Sequence, residues 1–116
     1  MNPAEIPTTS VSELPTEGAV LLDVREADEW AAGHAPGAVH IPLGDLPAST
    51  DQLAELPDDR PVYVICRTGG RSARATMWLN SAGLVEAVNV AGGMKSWQTE
   101  GRPLECDHDG AEPEVL

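Results

Sequence analysis

Pro61-Val62-Tyr63-Val64-Ile65-Cys66-Arg67-Thr68-Gly69-Gly70-Arg71-Ser72 is the stretch that decides how this 116-residue chain is read. Val62, Val64 and Ile65, with Tyr63 between them, make Pro61 to Cys66 a β-leaning run. A glycine-rich turn follows, and Ser72 to Ala82 then reads as a helix, with Gly83 where a helix C-terminal glycine belongs. Strand, turn and helix in direct succession form the building unit of a parallel sheet with right-handed crossovers. Ligand sites in such sheets lie at the carboxyl ends of the strands, and Cys66 stands at that end.

Working outward, the same alternation recurs. Ala19 to Val24 is a continuous apolar run that suits a strand buried on both faces. Glu26 to Ala32 reads as a helix with acids in its first turn and Gly33 at its end. His34-Ala35-Pro36-Gly37 is a turn, and Ala38 to Ile41 a short strand stopped by Pro42. Thr50 to Leu56 suits a short helix, Glu86 to Val90 another strand, and Gly92-Gly93 leads into a last helix around Met94 to Thr99. The expected fold class is α/β, a mostly parallel sheet with helices on both faces. Residues 1–10 read as an N-terminal extension, 11–104 as the domain and 105–116 as an acidic tail. Leu104 to Leu116 contain five acids, a Gly and a Pro, so a mobile segment is expected.

Length and composition bound the function. The chain is one domain long, 41% apolar and 22% charged, with no Phe, which excludes collagen-like, coiled-coil and mostly disordered classes. Its longest apolar stretches, Ala19–Leu22 and Val62–Cys66, are far too short to cross a bilayer. Met1 to Ser10 is polar and does not read as a secretory signal, so a cytoplasmic location is expected. Two cysteines, Cys66 and Cys106, make neither a disulfide framework nor a zinc spacing, so no metal is expected. The net charge of −12, from 19 acidic and 7 basic residues, argues against nucleic acid and against anionic membrane as partners. No acid occurs between Asp59 and Glu86, and Arg67, Arg71 and Arg74 crowd into eight positions there. In an acidic protein that cluster suits a small anion.

A thiol is a nucleophile only as thiolate, and positive surroundings lower its pKa from about 8.5 to roughly 3.5–7.5. Gly69 and Gly70 let successive N–H groups turn inward, and the helix that follows adds its N-terminal dipole. Cys66 therefore stands at the base of an anion cradle in this reading. The alternative is a buried strand-end cysteine acting as a small hydrophobe.

Several segments together resemble the rhodanese-like sulfurtransferases across about Val11 to Leu104. They are Leu22-Asp23-Val24-Arg25, Glu29-Trp30 with Gly33-His34-Ala35-Pro36-Gly37-Ala38, Ile41-Pro42-Leu43, Cys66-Arg67-Thr68-Gly69-Gly70-Arg71-Ser72, and Gly92-Gly93-Met94 with Ser96-Trp97. The resemblance implies a five-stranded, mainly parallel central sheet and a sulfane-sulfur transfer in which Cys66 carries a persulfide. The donor would be thiosulfate or another small anionic sulfur donor, and the acceptor cyanide, a thiol or a protein. Arg67, Thr68, Gly69, Gly70, Arg71 and Ser72 would bind substrate, the backbone N–H groups holding the persulfide and the two arginines drawing in the donor. No metal or organic cofactor is implied, and a monomer is expected. Related phosphatases place Arg after five residues; here Arg71 follows Cys66 after four, and by the family's pattern the shorter loop fits sulfur better than phosphate. A different class of function, a sulfur-relay or regulatory protein-binding module, would keep Cys66 with little thiosulfate turnover.

Asp23 and Arg25 end a strand near this position and read as residues that orient the loop. His34 reads as a structural histidine, Trp30, Trp78 and Trp97 as core cover, and Cys106 as an incidental cysteine of the tail.

Overall fold

The computed structural model describes residues 6–108 and 110–116; residues 1–5, assigned above to the N-terminal extension, and Asp109 of the tail lie outside the described residues. Five strands form one sheet: β1 (Thr8–Ser10), β2 (Val20–Asp23), β3 (Val39–His40), β4 (Val62–Ile65) and β5 (Ala87–Ala91). Their order is β1-β5-β4-β2-β3, and every neighbouring pair is parallel. The helices are α1 (Ala27–Ala32), α2 (Thr50–Ala54), α3 (Gly70–Ala82) and α4 (Gly93–Thr99), joined by 3-10 turns at Val11–Glu13 and Leu43–Ala48. The expected α/β architecture is what the chain adopts.

Strand periodicity divides the core in two. Leu22, Val62 and Val64 face one side and pack with Leu46, Leu53, Ala75 and Leu79. Leu21, Ile65 and Val90 face the other and pack with Val11, Leu14, Met94 and Trp97. Adjacent residues thus serve opposite layers, as the pleat requires, and both faces of the central strands are covered. Among the described residues no helix is long and apolar enough to cross a membrane.

Two expectations need correction. Thr8–Ser10, placed in the N-terminal extension, is an edge strand that pairs with Asn89, Val90 and Ala91. An edge strand is held by backbone hydrogen bonds and can be short and polar, so no apolar periodicity announces it. The second correction concerns the tail, which is packed. Its backbone satisfies the carbonyls that a helix end leaves open: Asp107 N–H donates to Ala31 O (3.0 Å) and Glu114 N–H to Ala32 O (2.9 Å). His34 and Glu105 exchange backbone hydrogen bonds of 2.8 and 2.9 Å. Gly33 makes room for this course, since a Cβ there would overlap the Glu114 backbone. Val115 then inserts into the layer of Met94 and Trp97 and is 6% exposed.

The tryptophans divide their work. Trp97 is buried, and its indole N–H donates to Pro103 O at 2.8 Å. Trp78 lies half-buried against the α3 side of the core. Trp30 stacks with both His34 and His40, with ring centroids 3.7 and 4.7 Å away. His34 Nδ1 lies 2.7 Å from Trp30 O, so its ring is held by structure, as expected.

A packed tail has a measurable consequence. Val115→Asp should lower unfolding stability in urea by about 2–3 kcal/mol, the cost of placing a charge in an apolar layer. A free tail would tolerate the change without loss.

Candidate functional site

Cys66 directly follows β4, the middle strand of the sheet, and is 1% exposed. The chain turns there through Gly69, whose φ of 118° is a conformation that side chains rarely adopt, and Gly69 also serves as the N-cap of α3. The turn brings donors back onto the sulfur. Gly69 N–H donates to Cys66 Sγ at 3.0 Å, and the Ser72 hydroxyl lies 3.3 Å from it. Burial pushes the Cys66 thiol up; the Ser72 hydroxyl and the N–H groups of Ser72, Gly69 and Thr68 more than offset it, so the thiol titrates below its ordinary value. The site thus stabilises a sulfur anion chiefly with hydrogen-bond donors.

The arginines are placed differently from the positive well read in the sequence. Arg71 makes a two-pronged pair with Glu29, 2.6 and 2.8 Å, across 42 residues of sequence. Arg67 Nε donates to the Leu116 carbonyl at 2.7 Å. Arg74 is exposed on α3 and pairs with no carboxylate among the described residues. Thr68, Gly69, Gly70 and Ser72 all lie in the turn beneath the sulfur or at the start of α3. Cys106 lies in the tail, its Sγ near the carbonyls of His108 and Ala111.

The match to known proteins covers the sheet and the Cys66 loop but not the tail: the model of the Rhodanese-like domain matches residues 8–100. The chain belongs to the rhodanese-like domain family. It is 34% identical over 102 residues to a sulfurtransferase of Allochromatium vinosum, covering 86% of this chain and 92% of that protein. It is 33% identical over 93 residues to the thiosulfate sulfurtransferase GlpE of Pseudomonas savastanoi pv. phaseolicola, covering 80% of this chain and 85% of that one. The crystal structure of a rhodanese-related protein from Thermoplasma volcanium superposes with a TM-score of 0.76 at 32% identity, over 85% of this chain and 97% of its own. A longer Bacillus subtilis relative is 39% identical over 77 residues, and the chain spans 40% of its length.

Within this rhodanese-like domain, Asp23 and Arg25 are fully buried, and their effect on the loop is indirect. Arg25 Nε and one terminal nitrogen donate to the Asp23 carboxylate at 2.8–3.1 Å. The same guanidinium donates to Gly33 O at 2.7 Å and Glu29 O at 3.4 Å. It therefore holds the α1 segment, and α1 presents Glu29 to Arg71.

Three further residues shape the site without having been picked out as site residues in the sequence. Asn89 Oδ1 accepts from the Ser72 hydroxyl at 2.6 Å; its signal was a lone amide in the apolar run Ala87–Ala91. Glu29 is the second. Its signal was the Glu26-x-x-Glu29 spacing of a capping box, which α1 forms. Gly93 is the third. Met94 N–H donates to Cys66 O (2.8 Å) and Lys95 N–H to Arg67 O (3.0 Å), and a Cβ on Gly93 would run into those same two carbonyls. Its φ of 56° is also left-handed. The Gly92-Gly93 motif thus seats α4 against the loop.

Two outcomes follow. The hydrogen bonds of Arg71 hold the Glu29 carboxyl well down, to about 2 against an ordinary 4.5, with burial opposing and the Glu26 N–H and the charges of Arg71 and Arg25 assisting. A depressed carboxylate contributes stability that is present above pH 4.5 and lost as pH falls toward about 2. Glu29→Gln should therefore flatten the acid arm of the stability curve across that window, by on the order of 2 kcal/mol once solvent screening of this part-exposed pair is allowed for. In a Cys106→Ser background, Ser72→Ala should move the ultraviolet titration of the Cys66 thiolate to higher pH, because a donor to the anion is lost.

Proposed function

We propose that Cys66 accepts a sulfane sulfur as a persulfide and passes it to a thiophilic acceptor. The observation that carries this is the Gly69 N–H and Ser72 hydroxyl converging on Cys66 Sγ at the end of β4. Membership of a family whose relatives include named sulfurtransferases supports it. The Cys66 thiolate attacks the outer sulfur of thiosulfate; the S–S bond of the donor breaks, its electron pair leaves with sulfite, and Cys66–S–S⁻ remains. A covalent intermediate of this kind splits the transfer into two steps. The N–H groups of Thr68, Gly69 and Ser72 bond the Cys66 sulfur, and the same donors would serve the persulfide anion. Asp23 and Arg25 act as positioning residues through α1 and Glu29. The catalytic residue is Cys66; Cys106 takes no part.

One observation favours a second reading. The charge of Arg71 is offset by Glu29, so of the two loop arginines only the exposed Arg67, tied to the Leu116 carbonyl through its Nε, is offered to a dissolved dianion. A partner protein that delivers or receives the sulfur directly would need less of that charge. In this reading the domain is a sulfur relay with slow thiosulfate turnover.

Incubation with thiosulfate should add one sulfur atom to the intact mass. Cys66→Ser should abolish the addition and Cys106→Ser should retain it. Transfer from the loaded protein to cyanide then separates the two readings: fast reloading by thiosulfate favours the enzyme, and slow reloading with rapid discharge to a protein thiol favours the relay. Hydrolysis of aryl phosphates that depends on Cys66 would overturn both.

A further inference from the structure

Beside the Cys66 loop, a cleft of about 450 Å³ opens between the start of α3 and the Leu43–Ala48 turn. Leu43, Leu46 and Pro47 line it from the turn, Arg71, Arg74 and Trp78 from α3, and Glu26 lines it as well. Arg71, Arg74 and Trp78 share one face of α3, spaced three and four residues apart. The volume is in the range of a small-molecule site.

The charges in this cleft are unequal. Among the described residues, the other six basic side chains each donate to a carboxylate or a backbone carbonyl: Arg25 to Asp23, Arg60 to Asp59, Arg67 to Leu116, Arg71 to Glu29, Lys95 to Val115 and Arg102 to Leu14. Arg74 has no such partner, and it lines the cleft of a chain with net charge −12. Glu26, the acid of the lining, keeps its negative charge, belongs to the α1 capping box with Glu29, and makes no ion pair with Arg74 among the described residues. One available guanidinium next to an indole and an aliphatic wall matches a ligand with an apolar body and a single negative charge. Arg71 belongs to both the cleft and the Cys66 loop, and its own charge is offset by Glu29. The cleft therefore adjoins the sulfur site.

We infer that this cleft binds the sulfur acceptor, a low-molecular-weight thiol bearing an apolar arm and a carboxylate. This inference rests on the persulfide reading of Cys66. The acceptor thiol RSH gives its proton to the outer sulfur of Cys66–S–S⁻ and, as thiolate, attacks that sulfur; the Sγ–S bond breaks, its electron pair returns to Cys66 Sγ as thiolate, and the new persulfide RS–SH leaves with the proton. Arg74 holds the carboxylate, and Leu43, Pro47 and Trp78 cover the arm.

Three thiols of equal length test it: 6-mercaptohexanoate, 6-mercaptohexanol and 6-aminohexanethiol, each taking sulfur from the preloaded protein. The expected order of kcat/KM is carboxylate, hydroxyl, ammonium, with about two- to fivefold between the first two. Arg74→Glu should reverse that order; Arg74 is exposed, so the variant keeps the fold. The same ratio in both proteins would overturn the inference. Binding is read separately by NMR titration of Cys66→Ser protein with hexanoate, which has no sulfur. Saturable shifts at the Trp78 indole N–H that vanish in Cys66→Ser/Arg74→Glu uphold the cleft; absent or unaltered shifts overturn it. If thiosulfate loads no sulfur, the persulfide reading fails, and the hexanoate titration still decides the cleft.

Discussion

A guanidinium with no exposed surface organises the carboxyl edge of this sheet. Arg25 leaves β2, turns back on Asp23 and donates onward to the carbonyls of Gly33 and Glu29. Such a charge is tolerated only because its donors meet a carboxylate and carbonyls in good geometry. The consequence extends beyond the pair. It ties the first and last turns of α1 to the strand end, and α1 carries the Glu29 that clamps Arg71 at the start of α3. A helix of six residues without a single buried side chain has little packing to locate it, so polar ties supply its position.

The sulfur site depends on a second set of polar ties, made by backbone. The first amides of α4 are used on the Cys66 and Arg67 carbonyls, while the amide of Gly69 turns to the sulfur itself. The loop is gripped through its oxygens from one side and exposes its nitrogens on the other. Burial alone would raise the thiol; the inward donors reverse that direction. The Ser72 hydroxyl has one hydrogen and three acceptors within reach, Gly69 O, Asn89 Oδ1 and Cys66 Sγ. Its hydrogen bond can therefore follow the protonation state of the cysteine.

Charge is managed by local pairing more than by a general field. In a chain of net charge −12, the arginines near the site are drawn to oxygens of the protein itself: a carboxylate for Arg71 and the tail backbone for Arg67. The tail reaches that position because α1 has open carbonyls at its end and because Val115 has an apolar layer to enter. Arg74 stands apart, on the α3 face that turns toward the Leu43–Ala48 segment.

The sequence by itself determined the alternation of β2, α1, β3, α2, β4, α3, β5 and α4, because each element carries its own periodicity and its own stop residue. It determined as well that Cys66 ends a strand before a glycine turn, since that unit is local. The polar strand β1, the course of the tail and the partners of Arg71 and Arg67 were decided only in three dimensions. β1 is held by its backbone alone, and the tail is judged mobile by composition while its packing depends on one valine and the amides of Asp107 and Glu114. Glu29 and Arg71 are 42 residues apart, and nothing in either neighbourhood encodes the other. The spacing that announces Glu29 as a helix cap has no means of announcing it as the partner of an arginine. Long-range pairing is chosen by where the sheet order β5-β4-β2 sets the strand ends side by side, and that order is a property of the folded chain.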